Sequence, residues 1–162
     1  MTITLRPLAD QDLDRLFVWE SDPRAVELAA FTRADPSDRA AFDAHYERIR
    51  PNPENTLLSI EEDGEFVGTI GSYSMDGDRE VTYWVAPARW GEGIASRALA
   101  AFLEREPTRP LYGRVAEHNV GSAHVLLRNG FVEIGTDTGF APGIGREVVE
   151  RLFRLDSPDT LA

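Results

Sequence analysis

Apolar residues recur along this chain with two different periods, and the switches between them divide it into strands and helices. Residues 2–6 alternate, with Ile3 and Leu5 on one face, and read as a first strand ended by Pro7. Asp10 is placed to cap a helix carrying Leu13, Leu16, Phe17 and Val18. A short helix is expected over 24–31, after Pro23. Asp35-Pro36-Ser37-Asp38 then combines a cap, a first-turn proline and an early acid. The helix it opens carries Ala41, Phe42, His45, Tyr46 and Ile49 and stops at Pro51.

From Thr56 the period shortens to that of a strand. Residues 56–61 place Leu58 and Ile60 on one face, Asp63-Gly64 is a hairpin turn, and 65–72 return as the partner. Asp76-Gly77-Asp78 reverses the chain again into a strand over 80–85. Pro87 breaks that strand, and a glycine-bearing turn opens a helix with Ile94, Leu99, Phe102 and Leu103. A short apolar strand over 111–115 precedes a helix over 119–128, closed by Asn129-Gly130 as its left-handed stop. Two last strands, 131–134 and 147–155, flank a loop holding Gly139, Pro142, Gly143 and Gly145. The order predicts an α+β domain with one parallel crossover near its middle.

With 162 residues the chain has the length of one domain, expected over 1–155 with a tail over 156–162. Its 42% apolar and 28% charged residues exclude wholesale disorder. No apolar run approaches the ~20 residues of a membrane span, and the start lacks the basic and apolar stretches of a signal peptide. The absence of cysteine removes disulfides, thiolate nucleophiles and Cys-based metal sites, and fits the cytoplasm. His45, His118 and His124 are too scattered for a metal cluster, so no metal is expected. A net charge of −11 argues against a nucleic-acid backbone and suits a cationic partner such as a protonated amine.

The segment that carries chemistry is the turn Trp90-Gly91-Glu92-Gly93-Ile94-Ala95 with Ser96 after it. A strand ends, glycines allow close backbone approach, and a helix begins whose first N–H groups lack internal partners and sit at the positive end of its dipole. Such an end binds a diphosphate readily. A Walker loop is excluded because the Gly-Lys-Ser/Thr is missing, and a dinucleotide fingerprint because Ser96 replaces its third glycine. On these residues alone, a tight turn without a ligand remains equally open.

The turn resembles the acyl-CoA-binding motif of the GNAT acetyltransferases, Q/R-x-x-G-x-G/A, with Gly93 and Ala95 at its last two fixed positions. Trp90 stands at the first fixed position, with Arg89 one residue early, and the run Trp-Gly-x-Gly-Ile-Ala resembles the ribosomal-protein N-terminal acetyltransferase branch. The segment from Glu117 to Phe131 is similar to the family's N-x-x-S helix ending in Gly-Phe, with Asn119 and Ser122 at the fixed positions. Element order agrees too, so the resemblance spans nearly the whole chain.

The resemblance implies a mostly antiparallel, twisted sheet of six to seven strands with flanking helices, its fourth and fifth strands parallel and splayed. The pantetheine arm of acetyl-CoA would lie in that opening and bond to the fourth strand near Val85. A bulge near Tyr83 to Val85 would aim a backbone N–H at the thioester oxygen. The implied cofactor contacts are Trp84, Val85, Trp90, Gly91, Glu92, Gly93, Ile94, Ala95, Ser96, Asn119 and Ser122. Glu80 matches an acidic position of the ribosomal branch and is the candidate base, acting through water; a solvated strand-end Glu beside Arg79 is the bland alternative. The family's tyrosine after N-x-x-S is missing, since Val125, Leu126 and Leu127 stand there, which leaves Ser122 as acid and Tyr83 as a fallback that also reads as core.

The first two helices and the loop over 137–146 would select the acceptor. Tyr46, Trp19, Phe31 and Phe140 are candidates to line its site or simply to pack, and Glu20, Asp22 and Glu27 to attract a cation or simply to face solvent. The implied activity is acetyl transfer from acetyl-CoA to a primary amine in a ternary complex, with a protein N-terminus as acceptor. A small amine (an antibiotic or polyamine) and a non-catalytic acyl-CoA-binding module are the alternatives. A homodimer is compatible with all three.

Overall fold

Two dipeptide turns build the first half of the sheet. Asp63 and Gly64 have φ of 50° and 85°, and Asp76 and Gly77 have φ of 52° and 87°. Left-handed backbone at both central residues is the type I′ geometry, whose twist matches that of the strands it joins. The structure, a computed structural model, describes residues 1–158. The turns link β2 (Thr56–Glu62), β3 (Glu65–Met75) and β4 (Asp78–Val85) into a meander, and β1 (Ile3–Pro7) pairs antiparallel with β2. After β4 the chain crosses through α4 (Ile94–Leu103) to β5 (Leu111–Ala116), which runs parallel to β4. Then α5 (Val120–Arg128) leads to the hairpin of β6 (Val132–Ala141) and β7 (Arg146–Leu155). The seven strands form one sheet in the order β1-β2-β3-β4-β5-β7-β6. This is the α+β fold expected, parallel fourth and fifth strands included.

Strand alternation sends successive side chains to different layers. Ile60, Ile70, Val81, Leu111 and Phe153 pack under α4 and α5 with Ile94, Leu99, Phe102 and Leu126. On the opposite face, Leu57, Phe66 and Trp84 meet Leu16 of α1 (Leu13–Ser21) and Phe42 and Tyr46 of α3 (Arg39–Ile49). The short α2 (Pro23–Ala29) ends at Ala30, which joins Ala116, Ala141 and Val148 in a small third cluster. Among the described residues no helix is long and apolar enough to cross a membrane.

Several local expectations are corrected. Asp10 pairs with Arg50 at 2.6 Å instead of capping α1. The structural carboxylate there is the buried Asp12, which accepts from the Ala9 N–H and the Ser59 hydroxyl, both at 2.9 Å, and pairs with Arg6 at 2.7 Å. The third helix starts only at Arg39, capped by Asp38 through the Ala41 N–H at 3.0 Å, because Asp35 is engaged with the Ser37 N–H and hydroxyl. The terminal hairpin is longer than predicted: Gly139 keeps its pairing with Val148, so the strands run on to Ala141 and from Arg146. β4 pairs with β3 in unbroken register from Val85–Gly68 to Asp78–Met75, so the expected bulge is absent from it. Of the tail expected over 156–162, residues 159–162 lie outside the described part, and Asp156 pairs with Arg154 at 2.8 Å.

Candidate functional site

β4 and β5 pair only at Arg79–Leu111 and Glu80–Tyr112, and then part. The parting leaves one edge of β4 without a ladder partner. Ala86 donates its N–H to Val67 O at 2.8 Å, which fixes the alternation along β4. Trp84 and Thr82 direct their backbone groups to β3, whereas Tyr83 and Val85, beyond the last β4–β5 pair, direct theirs into the opening. Freed backbone donors and acceptors on a strand edge can pair with an extended amide chain as a further strand would. No bulge is needed to aim them.

At the wide end of this opening lies the glycine turn. Gly91 and Gly93 have φ of 81° and 77°, conformations that L side chains adopt reluctantly. Gly93 is the N-cap of α4 and supplies no side-chain cap, so the first N–H groups of Ile94, Ala95 and Ser96 point out of the helix without a side-chain partner. The side chain of Ile94 is buried in the core, leaving its backbone N–H as its contribution. Arg89 and Arg97 flank the turn and both pair with the buried Glu62, Arg97 at 2.6 Å, which ties the turn to the β2–β3 hairpin. Arg89 also bonds Glu92 at 3.1 Å, so Glu92 faces a cation and not the turn's N–H groups. An uncapped helix start with two arginines beside it suits a diphosphate.

Glu80 sits where the strands part and is 4% exposed. Its carboxylate bonds Arg114 Nε at 3.3 Å, and the same guanidinium lies 3.5 Å from Glu150 and 3.7 Å from Asp137. Burial pushes the Glu80 and Glu150 carboxyls above the usual carboxylate range, and Arg114 offsets this only in part. One cation thus serves three acids, and a protonated amine entering this face meets a surplus of negative charge. The solvated strand-end reading of Glu80 does not survive its burial.

On the α4–α5 face, the Tyr83 hydroxyl lies 2.8 Å from Ser122 Oγ and 3.0 Å from Ser122 O. Burial pushes the Tyr83 phenol up to about 12, so it stays protonated at neutral pH. Asn119 caps α5, its Oδ1 accepting the Ser122 N–H at 3.3 Å, which fixes the backbone of that serine. Asn119→Ala is expected to destabilise the protein by about 1 kcal/mol, the ordinary loss of an N-cap, read as a lower urea midpoint at constant m. Ser96 accepts from Asn129 Nδ2 at 3.3 Å, joining the start of α4 to the end of α5.

Turn, opening, Glu80 and the Tyr83–Ser122 pair therefore converge along β4. Trp84 stands apart, since its side chain packs with the α1–α3 cluster and its indole N–H is buried without a partner. The acids proposed to attract an acceptor are otherwise engaged: Glu20 accepts from Tyr46 at 2.6 Å and Arg33 at 2.9 Å, Asp22 caps α2, and Glu27 pairs with Arg146. Trp19 packs on Phe66 at 4.8 Å, and Phe140 is exposed. Sequence reasoning missed Arg114 and Glu150, and reached Asp137 only as the first residue of the acceptor-selecting loop over 137–146. Arg114 had left one signal, a charge inside an apolar strand.

Residues 2–132 match the family model described as "Acetyltransferase (GNAT) domain". The fold is similar to that of spermidine N-acetyltransferase from Vibrio cholerae in complex with CoA and spermine, at 20% identity and TM-score 0.77 over 95% of each chain. It is similar to ribosomal-protein-alanine N-acetyltransferase from Brucella melitensis, at 24% identity and TM-score 0.71 over 95% of this chain and 99% of that one. A third likeness is to aminoglycoside acetyltransferase AAC(6')-Ib in complex with coenzyme A, at 20% identity and TM-score 0.73 over 93% and 94% of the two chains. At such identities the likeness is one of fold. A trans-enoyl reductase, tasC, from Hapsidospora irregularis is 38% identical over 60 residues, 37% of this chain and 14% of that protein, so the match spans only a small part of that curated relative.

Proposed function

The chain belongs to the GNAT acetyltransferases, and from that premise we propose that it moves the acetyl group of acetyl-CoA to a primary amine by direct attack in a ternary complex. The observation that carries this reading is the parting of β4 and β5 beside an uncapped glycine turn. The turn's N–H groups hold the diphosphate, and the freed edge of β4 holds the pantetheine amides. Acetyl-CoA, when bound there, supplies an activated acyl carbon.

The residues of the chain do the rest. Glu80, through a water, takes the proton that the acceptor must lose, and its raised pKa makes it a stronger base than an exposed carboxylate. A freed N–H of Tyr83 or Val85 donates to the thioester oxygen as negative charge builds on it. The Ser122 hydroxyl, bonded to the protonated Tyr83, gives a proton to the departing sulfur. Because a thiolate leaves readily, Ser122→Ala should lower kcat by only about three- to tenfold, below the roughly hundredfold or more of a full general acid. A fall beyond about a hundredfold in stopped-flow turnover would make Ser122 indispensable instead.

For the acceptor, the Trp-Gly-x-Gly-Ile-Ala run and the likeness to a ribosomal-protein-alanine acetyltransferase support a protein N-terminal amine. The site would then act in the cytoplasm. One observation favours a second reading, a small polycationic amine: three carboxylates share Arg114. Release of free CoA with peptides bearing free N-termini, lysine peptides, polyamines and aminoglycosides separates them. The chain has no lysine, so its own side chains do not enter the screen as lysine acceptors. Turnover confined to peptide N-termini supports the first reading, and turnover confined to polyamines or aminoglycosides the second. Binding of acetyl-CoA without release by any amine defines a non-catalytic module.

A further inference from the structure

The freed edge of β4 already has a partner at its far end. The indole N–H of Trp90 donates to Val85 O at 3.0 Å. Val85 O is the strand carbonyl nearest the glycine turn among those that face the opening. Trp90 reaches it from an extended backbone position directly before Gly91, and the Arg24 guanidinium of α2 lies 5.7 Å from the indole centroid. Trp90 is 38% exposed, and it belongs to none of the buried clusters.

Resting on the reading that the pantetheine lies along β4, we propose that Trp90 competes with the pantetheine arm for Val85 and so tunes the affinity for CoA. A backbone carbonyl at a strand edge requires a donor. An amide chain laid along that edge provides one, and so does the indole. The carbonyl has a second lone pair, but an indole bonded to the first fills space within van der Waals reach of any chain on that edge. Binding of the arm therefore displaces the indole. Departure of the product is eased in return, because the indole takes back a carbonyl that would otherwise wait on water. Arg24, stacked on the ring, favours the position in which the indole meets Val85.

The test uses two ligands and two variants. CoA carries the arm, whereas adenosine 3′,5′-bisphosphate lacks it together with the outer phosphate of the diphosphate. In Trp90→Phe, which keeps an aromatic ring and removes the donor, calorimetry should give CoA binding about three- to tenfold tighter, the factor for removing one competing hydrogen bond. Binding of the bisphosphate should change by less than about twofold, since that ligand never meets Val85. Arg24→Ala should move CoA binding in the same direction by a smaller factor. Unchanged or weaker CoA binding in Trp90→Phe overturns the proposal, and a parallel loss of both ligands assigns Trp90 to shaping the turn. If the wild-type protein binds CoA no more tightly than the bisphosphate, the placement of the arm on β4 is what fails.

Discussion

Gly93→Asp should cut the affinity for acetyl-CoA by about a hundredfold or more, because a unit charge 4 Å from another costs roughly 4 kcal/mol at an effective dielectric of 20. The site allows a clean experiment. Beyond its chain neighbours, no atom lies within 4 Å of a Cβ built on Gly93, so the new side chain has room. The φ of 77° strains any L residue, but Asp and Asn tolerate this region better than most. Gly93→Asn then carries the same shape and the same strain without the charge. If the turn binds a diphosphate, the asparagine variant keeps most of the affinity and the aspartate variant loses it. Equal losses in both variants would point to backbone strain and remove charge from the account.

Glu80→Gln is the second large effect, expected to lower kcat/KM by about a hundredfold to ten-thousandfold, the range for loss of a general base. Affinity for acetyl-CoA should hold within about twofold, because the Glu80 side chain bonds Arg114 on the face of the sheet opposite α4 and its glycine turn. The pH profile separates the base from a merely structural carboxylate. A base works only when ionised, so the rate climbs as pH rises through its pKa. Burial raises that pKa, so the acid limb of the wild-type profile should lie above the usual carboxylate range. In the variant that limb should vanish, leaving only the limb of the acceptor amine. The sign for stability is opposite. A carboxyl whose pKa is raised by folding binds its proton more tightly in the native state, so its ionisation weakens the fold as pH rises through the window between its unfolded and folded values. At pH 7 the glutamine variant should thus be at least as stable as the wild type. Retention of kcat/KM within about threefold, with the acid limb intact, would rule Glu80 out as the base.

What the sequence revealed was local. The Asp63-Gly64 and Asp76-Gly77 turns, the Pro87 break and the Asn129-Gly130 stop each depend on a few adjacent residues, and each stands in the structure as read. What it hid was set by strand register. Arg114 meets Glu150 and Asp137 only because Leu152 faces Arg114, Glu150 faces Ala116, and Asp137 faces Glu150, which brings β5 against a hairpin separated from it by the whole of α5. Glu80 joins them because β4 and β5 stay paired just long enough to bring Tyr112 opposite it. The same long-range packing engaged Glu20 with Tyr46 and Arg33, closing off an acid that the sequence left free. Trp84 shows the other limit. Proximity in the motif suggested a place in the opening, yet the parity of the strand turns its side chain to the α1–α3 face.

Backbone amide spectra test most directly whether the start of α4 holds the cofactor's diphosphate. Titrating the ¹⁵N-labelled protein with CoA should move the amides of Gly91, Gly93, Ile94, Ala95 and Ser96 furthest, with Tyr83 and Val85 following along the arm. Saturable binding of CoA that leaves the amides of Gly93 to Ser96 unmoved would contradict the account.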